Sequence, residues 1–125
     1  MSELTIYEEE KNYCIITIQN GKANAISPEV ITEINTHLDS AEKEQKTVIL
    51  TGKEGIFSAG YDLKTMTKSS ESAIDLVTKG STLSLRMLSF PMPIIIASTG
   101  HSIAKGAFLL LSADYRLGTE GDFKI

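Results

Sequence analysis

The sequence predicts an α/β fold with a sheet and helices in layers, and three observations carry that reading. Segments of strand character alternate with segments whose apolar residues recur at helical spacing. Runs at Cys14 to Ile18, Thr47 to Thr51 and Ile94 to Ile96 are rich in β-branched residues, as strands are. Glycine and proline separate these segments at Asn20-Gly21, Gly52 to Gly55, Pro91 to Pro93 and Gly100 to Gly106.

In chain order, Leu4-Thr5-Ile6-Tyr7 alternates and reads as a strand. Glu8 to Asn12 reads as a charged, solvated turn, and Cys14 to Ile18 as the partner strand. Ser27 suits a helix N-cap and Pro28 the first helical position. Val30, Ile34, Leu38 and Ala41, with Ile31 beside them, form one stripe, while Glu29, Glu33, Asp39 and Glu42 lie off it. His37 falls in this amphipathic helix and is expected at its boundary with solvent. Thr47 to Thr51 is apolar enough at its centre to read as a strand buried on both faces. Gly52 to Gly55 reads as a loop, and the polar 64–72 as a short helix dissolving into a mobile loop. Ala73, Val77, Gly80, Leu83 and Met87 give a second helical stripe, ended by Phe90-Pro91-Met92-Pro93. Ile94 to Ile96 reads as a buried strand, Ala107 to Ala113 as a short buried helix and Asp114 to Leu117 as another strand. Gly118 to Asp122 reads as a loop, and Phe123-Lys124-Ile125 starts a further element. No linker or internal repeat interrupts the chain, so a single domain over 1–125 is expected.

Composition narrows the function classes. The 125 residues, 42% apolar and 22% charged, are those of a globular domain with a core. A net charge of −4, with 16 acidic residues against 12 basic, argues against nucleic acid as partner, which needs a basic face. A small anionic ligand remains compatible through a local basic pocket. The single cysteine, Cys14, excludes an internal disulfide and is expected as a buried core thiol. No apolar run is long enough for a bilayer and no secretory leader pattern opens the chain, so a cytoplasmic protein without membrane contact is expected. Two histidines and one cysteine, far apart, match no metal-ligand spacing, and no Gly-x-Gly-x-x-Gly occurs. Gly52-Lys53 lacks the upstream glycine of a phosphate loop, and Gly55 to Gly60 is one residue too long for a nucleophile elbow. Ser58 therefore reads as a packing residue.

Two stretches carry chemistry. Ser98 to Leu117 reads as the end of a strand, a turn with Gly100 and Gly106, and a short helix. Ile56-Phe57-Ser58-Ala59-Gly60-Tyr61-Asp62-Leu63 repeats that logic after Val48-Ile49-Leu50, with Asp62 able to cap a helix. A helix N-terminus leaves amide N–H groups without intrahelical partners, positioned to receive a negative oxygen. Two such joints can aim two N–H groups at one oxygen, the arrangement of an oxyanion hole. Each is equally readable as a strand–turn–helix joint with packing glycines.

Phe57 to Leu63, Gly100 to Gly106 and Asp114-Tyr115-Arg116, with Lys22-Ala23-Asn24-Ala25-Ile26 before them, resemble the enoyl-CoA hydratase/isomerase family, the crotonase superfamily. The motifs stand in that family's order and span nearly the whole chain. The resemblance implies a spiral of β-β-α units, a domain incomplete at its C-terminal end, and a homo-oligomer, a trimer or a dimer of trimers. It implies an acyl-CoA substrate and no cofactor beyond that coenzyme A. The backbone N–H groups of Tyr61 and Lys105 become the oxyanion donors. Lys22, Ala23, Ala25, Ala59, Gly60, Asp62 and Leu63 become substrate-binding residues, joined by Gly106 and Phe108. Lys105 stands where the family usually has glycine. Phe108 stands where family hydratases carry their first glutamate, and family isomerases can lack that glutamate. The resemblance therefore favours an enoyl-CoA double-bond isomerase, with a hydratase or a non-catalytic thioester-binding protein as alternatives. Its second glutamate would fall after Ile125. Asp114, at the start of a strand, reads as a turn or cap residue.

Overall fold

The computed structural model describes residues 3–125. The alternating N-terminal residues form β1 (Thr5–Glu9), which pairs antiparallel with β2 (Tyr13–Ile18) across the charged turn. Ser27 caps α1 (Pro28–Lys43), its Oγ accepting the Val30 N–H at 3.1 Å, and Pro28 opens the helix. β3 (Thr47–Thr51) and β4 (Gly55–Ser58) follow, then α2 (Leu63–Lys68) and α3 (Ser70–Leu88). β5 (Ile94–Ala97), β6 (Gly100–Ser102), α4 (Lys105–Leu111) and β7 (Tyr115–Leu117) complete the order. β1-β2-α1, β3-β4-α2-α3 and β5-β6-α4 are successive β-β-α units.

The larger sheet runs β1-β2-β3-β5-β7, parallel from β2 onward, while β4 and β6 pair in a separate parallel sheet. Parallel neighbours need crossovers, which the helices supply. Cys14, Ile16 and Ile18 of β2, Val48 and Leu50 of β3, and Ile94 and Ile96 of β5 pack in one cluster with the apolar stripes of α1 and α3. The α1 stripe is buried as its spacing predicts, and Cys14 lies in this core. Among the described residues no helix is long and apolar enough to cross a membrane.

Five local expectations are corrected. β3 is buried on one face only: Ile15, Ile49 and Ile95 share a register row on the other face and are half-buried. Gly55 to Ser58 and Gly100 to Ser102 are strands, too short and glycine-rich to show a strand pattern. No loop separates the helices within 64–72. Ser69 ends α2 and caps α3, accepting the Ser72 N–H at 3.0 Å, and the Ser72 hydroxyl donates back to the Thr65 carbonyl at 2.8 Å. The buried stripe of α3 runs through Leu76, Gly80, Leu83 and Met87, leaving Val77 exposed. α4 begins at Lys105 and buries only one side, with Phe108 and Leu111 outward.

Candidate active site

Three stretches meet at the open end of the two-stranded sheet. The first, Lys22 to Ile26, is held by Asn24, a fully buried residue with φ of +49°, a conformation asparagine tolerates. Its Nδ2 donates to the Ile18 and Phe57 carbonyls at 2.9 and 2.8 Å, and its Oδ1 accepts the Asn20 N–H at 2.7 Å. The Ala59 N–H donates to the Ala23 carbonyl at 2.9 Å, and the Ile26 N–H to the Gly60 carbonyl at 2.8 Å. The Asp62 N–H donates to the Ile26 carbonyl at 2.9 Å. Asn24 is not among the site residues that the sequence predicts. The only signal for it was an asparagine just past a turn, flanked by alanines too small to hold a loop.

The second and third stretches are the β4–α2 turn and the β6–α4 turn, which touch. The Ile103 N–H donates to the Ser58 carbonyl at 2.9 Å, and any Cβ at Gly106 would collide with that same carbonyl. Gly60 has φ of +111°, and a Cβ there would lie 3.0 Å from Ala104 Cβ and 3.3 Å from Lys105 N. Both positions therefore require glycine. Ala104, at φ of +53° and ψ of −121°, holds a sparsely populated conformation just before α4. Ser58 is buried and its Oγ accepts the Gly60 N–H at 3.1 Å, a packing and turn role.

The N–H groups of Tyr61 and Lys105 have no acceptor among the described residues. Two separate causes produce this. The parallel bridge between Ile26 and Tyr61 engages the Gly60 carbonyl and the Asp62 N–H, so the Tyr61 N–H faces away from it. Lys105 is the first residue of α4, where no intrahelical acceptor exists.

Two cavities share the Tyr61 wall. One, of about 320 Å³, is lined by Ala23, Ala25, Ala59, Gly60, Asp62 and Leu63 with Tyr61. The other, of about 560 Å³, lies between α3 and α4, with Tyr61, Lys105, Phe108, Ser81, Ser84 and Leu85 among its walls. No carboxylate borders this second cavity among the described residues. Lys22 lines neither cavity. Asp62 caps α2, its Oδ2 accepting the Thr65 N–H at 3.1 Å and the Thr65 hydroxyl at 2.7 Å. Asp114 accepts the Ile94 N–H at 2.8 Å, a clasp on the start of β5. Lys105 is only 5% exposed, and its Nζ donates to the Gly80 carbonyl at 2.9 Å and to Ser84 Oγ at 2.7 Å. Burial lowers the Lys105 pKa and raises that of the Tyr61 phenol. A third cleft, about 490 Å³ between β1 and α1, is lined by Thr5, Tyr7, Glu33 and His37, of which Thr5 bonds both Glu33 and His37.

The family described as Enoyl-CoA hydratase/isomerase matches residues 8–121 of the chain. A crystal structure of an enoyl-CoA hydratase/isomerase family protein from Pseudomonas syringae is 58% identical, with a TM-score of 0.95, covering 96% of this chain and 52% of that one. A Bacillus subtilis protein named "Probable enoyl-CoA hydratase" is 34% identical over 85% of this chain and 43% of its own length. The mitochondrial enoyl-CoA delta isomerase 1 of Rattus norvegicus is 32% identical over 88% of this chain and 39% of its own. The chain spans about half the length, or somewhat less, of the curated relatives it matches. With its β-β-α units shared with solved members and the family matched over nearly its whole length, the chain belongs to the enoyl-CoA hydratase/isomerase family, the crotonase superfamily.

Proposed function

We propose that the protein containing this chain acts on acyl-CoA thioesters and moves a double bond from the 3 to the 2 position. One observation carries the choice. Phe108 stands on the wall of the cavity that holds Tyr61 and Lys105, and no carboxylate borders that cavity among the described residues.

In this reading the thioester carbonyl oxygen accepts hydrogen bonds from the Tyr61 and Lys105 N–H groups. A carboxylate from outside residues 1–125 removes a proton from C2. Electrons move onto the carbonyl oxygen, and the two donors stabilise the dienolate because they are already oriented. The same carboxylic acid returns the proton to C4, leaving the double bond between C2 and C3. One base suffices, because the proton moves between two carbons of one substrate. The coenzyme A portion lies along Ala23, Ala25, Ala59, Asp62 and Leu63, and the exposed Lys22, next to Ala23 in the chain, reaches toward its phosphates. Gly60 and Gly106 keep the two turns close enough for the donors to converge. The assembly proposed is a homo-oligomer.

Hydration asks for more: a water must be held, activated and joined by a proton delivered to C2. The hydratase reading draws on the name of the Bacillus subtilis relative, and the apolar ring of Phe108 stands against it. The test is kcat/KM for 3-enoyl-CoA isomerisation and for 2-enoyl-CoA hydration in the full-length protein and in Phe108→Glu. A positioned acid–base group is typically worth about 10² to 10⁴ in rate. Isomerisation is therefore expected to exceed hydration by at least about a hundredfold, with hydration rising in Phe108→Glu. Hydration as fast as isomerisation in the unmodified protein overturns the assignment.

A further inference from the structure

We propose that the Lys105 side chain is a positioning device for the paired N–H donors, its ammonium strapping the first turn of α4 to the Gly80–Ser84 turn of α3. This inference rests on the reading of those donors as the thioester site.

The strap is visible in three contacts. Lys105 Nζ donates to the Gly80 carbonyl at 2.9 Å and to Ser84 Oγ at 2.7 Å, and it lies 5.7 Å from the centre of the Tyr61 ring. No carboxylate pairs with it among the described residues. Gly80 receives Tyr61 as well, since a Cβ on Gly80 would overlap the phenol. The two residues that offer free N–H groups come from different turns of the chain, yet both dock their side chains on one helical turn of α3. Because backbone and side chain of Lys105 are one residue, anchoring its far end limits rotation of α4 about the N–H. Gly60 against Ala104 limits the approach of the turns to each other; the α3 anchor limits their slide along the helix.

Stability does not account for the ammonium. A buried charge held only by neutral acceptors costs free energy that an apolar side chain of the same length would not. Burial lowers the Lys105 pKa, so the folded protein holds this proton less readily than the unfolded chain does. Below the folded-state pKa that difference counts against folding. The Gly80 carbonyl is inside α3 and keeps its helical partner without Lys105. Ser84 lies four residues on from Gly80 and can donate back to that carbonyl. Replacing Lys105 by methionine therefore leaves no orphaned group.

The test uses the full-length protein, its Lys105→Met, Ser84→Ala and double variants, and three measurements: kcat and KM with 3-enoyl-CoA, the melting temperature, and the carbonyl ¹³C shift of bound [1-¹³C]hexanoyl-CoA. The shift reports how strongly the donors polarise the thioester. Removal of one such donor costs about 10² to 10³ in kcat, so loosening it is expected to lower kcat about tenfold. KM should stay within about twofold, because the effect falls on the transition state. The carbonyl shift should diminish and the melting temperature hold or rise in Lys105→Met. Ser84→Ala should give a smaller fall, and the double variant no more than Lys105→Met, since both act through one strap. An unchanged kcat and carbonyl shift in Lys105→Met overturns the inference, as does a loss that merely follows a lower melting temperature. If neither enoyl-CoA is turned over but the shift still responds to Lys105→Met, the strap stands and the isomerase reading falls. If hexanoyl-CoA does not bind, both fall.

Discussion

Asn24 commits both of its N–H donors and its carbonyl oxygen to backbone groups of three residues, Ile18 at the end of β2, Asn20 just after it and Phe57 in β4. That makes it the residue on which the loop from Lys22 to Ile26 is hung, and through that loop the backbone partners of Ala59, Gly60 and Asp62. Asn24→Ala removes all three bonds and strands the Ile18 and Phe57 carbonyls and the Asn20 N–H. A buried group left without a partner costs about 1–3 kcal/mol. A total loss of about 3 kcal/mol is expected, allowing for water entering the space left behind, and urea unfolding of both proteins measures it. A loss below about 1 kcal/mol would mean that water satisfies all three groups and that the loop is held elsewhere. Asn24→Asp keeps the acceptor but aims a carboxylate oxygen at two carbonyls, so it should be no more stable than Asn24→Ala.

At the scale of elements, α1 and β1 are clasped by a short polar chain. Glu33 Oε1 accepts the Leu4 N–H at 3.0 Å, the Thr5 N–H at 2.9 Å and the Thr5 hydroxyl at 2.8 Å. The hydroxyl proton of Thr5 is thereby engaged, so His37 Nε2, 2.8 Å from that oxygen, carries the hydrogen and donates it. The imidazole also stacks on Tyr7, with ring centres 4.8 Å apart. Burial lowers the His37 pKa, partly opposed by Glu33 and Glu3. A histidine whose folded pKa lies below its unfolded value of about 6.5 contributes no penalty above 6.5. As pH falls below that value the unfolded chain takes up the proton first and stability declines. Stability is thus expected to decrease from pH 7 toward pH 5, and His37→Gln to flatten that limb. An equal acid slope in both proteins would assign it to other groups.

The same scale shows what the sequence could tell. The cap and stripe of α1 were legible because Ser27, Pro28 and five apolar positions all indicate one helix. β4 and β6 were not, because strands of four and three residues are too short to establish alternation, and their pairing is non-local. The α3 stripe passes through Leu76 and not Val77, because Val77 faces the cavity between α3 and α4. The glycines of the two turns were legible as turns; which atoms they let approach was not. The burial of Lys105 could not be read at all, since its acceptors are a main-chain carbonyl and a serine on a helix some twenty residues upstream.

At the scale of the molecule, the proposed reading puts the donors and the proton carrier in different parts of the protein. The two free N–H groups lie within residues 1–125, and the carboxylates nearest to them in sequence are engaged elsewhere. Asp62 closes the first turn of α2 and Asp114 holds the start of β5. Neither borders the cavity with Phe108 and Lys105. Around that cavity Leu85, Leu88, Phe108 and Leu111 are 59–71% exposed, an apolar rim that leaves the space between α3 and α4 open to water. An open site weakens its own electrostatics, because hydrogen bonds to a developing charge act most strongly where water is excluded. A polypeptide of residues 1–125 alone is therefore expected to give no measurable isomerisation of 3-enoyl-CoA, for want of a base and of a closed cavity. Binding is a weaker demand, and such a fragment, if folded, should still shift the carbonyl resonance of a saturated acyl-CoA. The measurement is a coupled assay at high fragment concentration beside the full-length protein at matched folded content. Turnover by the fragment would place the base among Asp62, Asp114 and the other carboxylates of this chain, and Asp62→Asn and Asp114→Asn would then identify it. No turnover together with a preserved carbonyl shift is the outcome that the division of labour between donors and base requires.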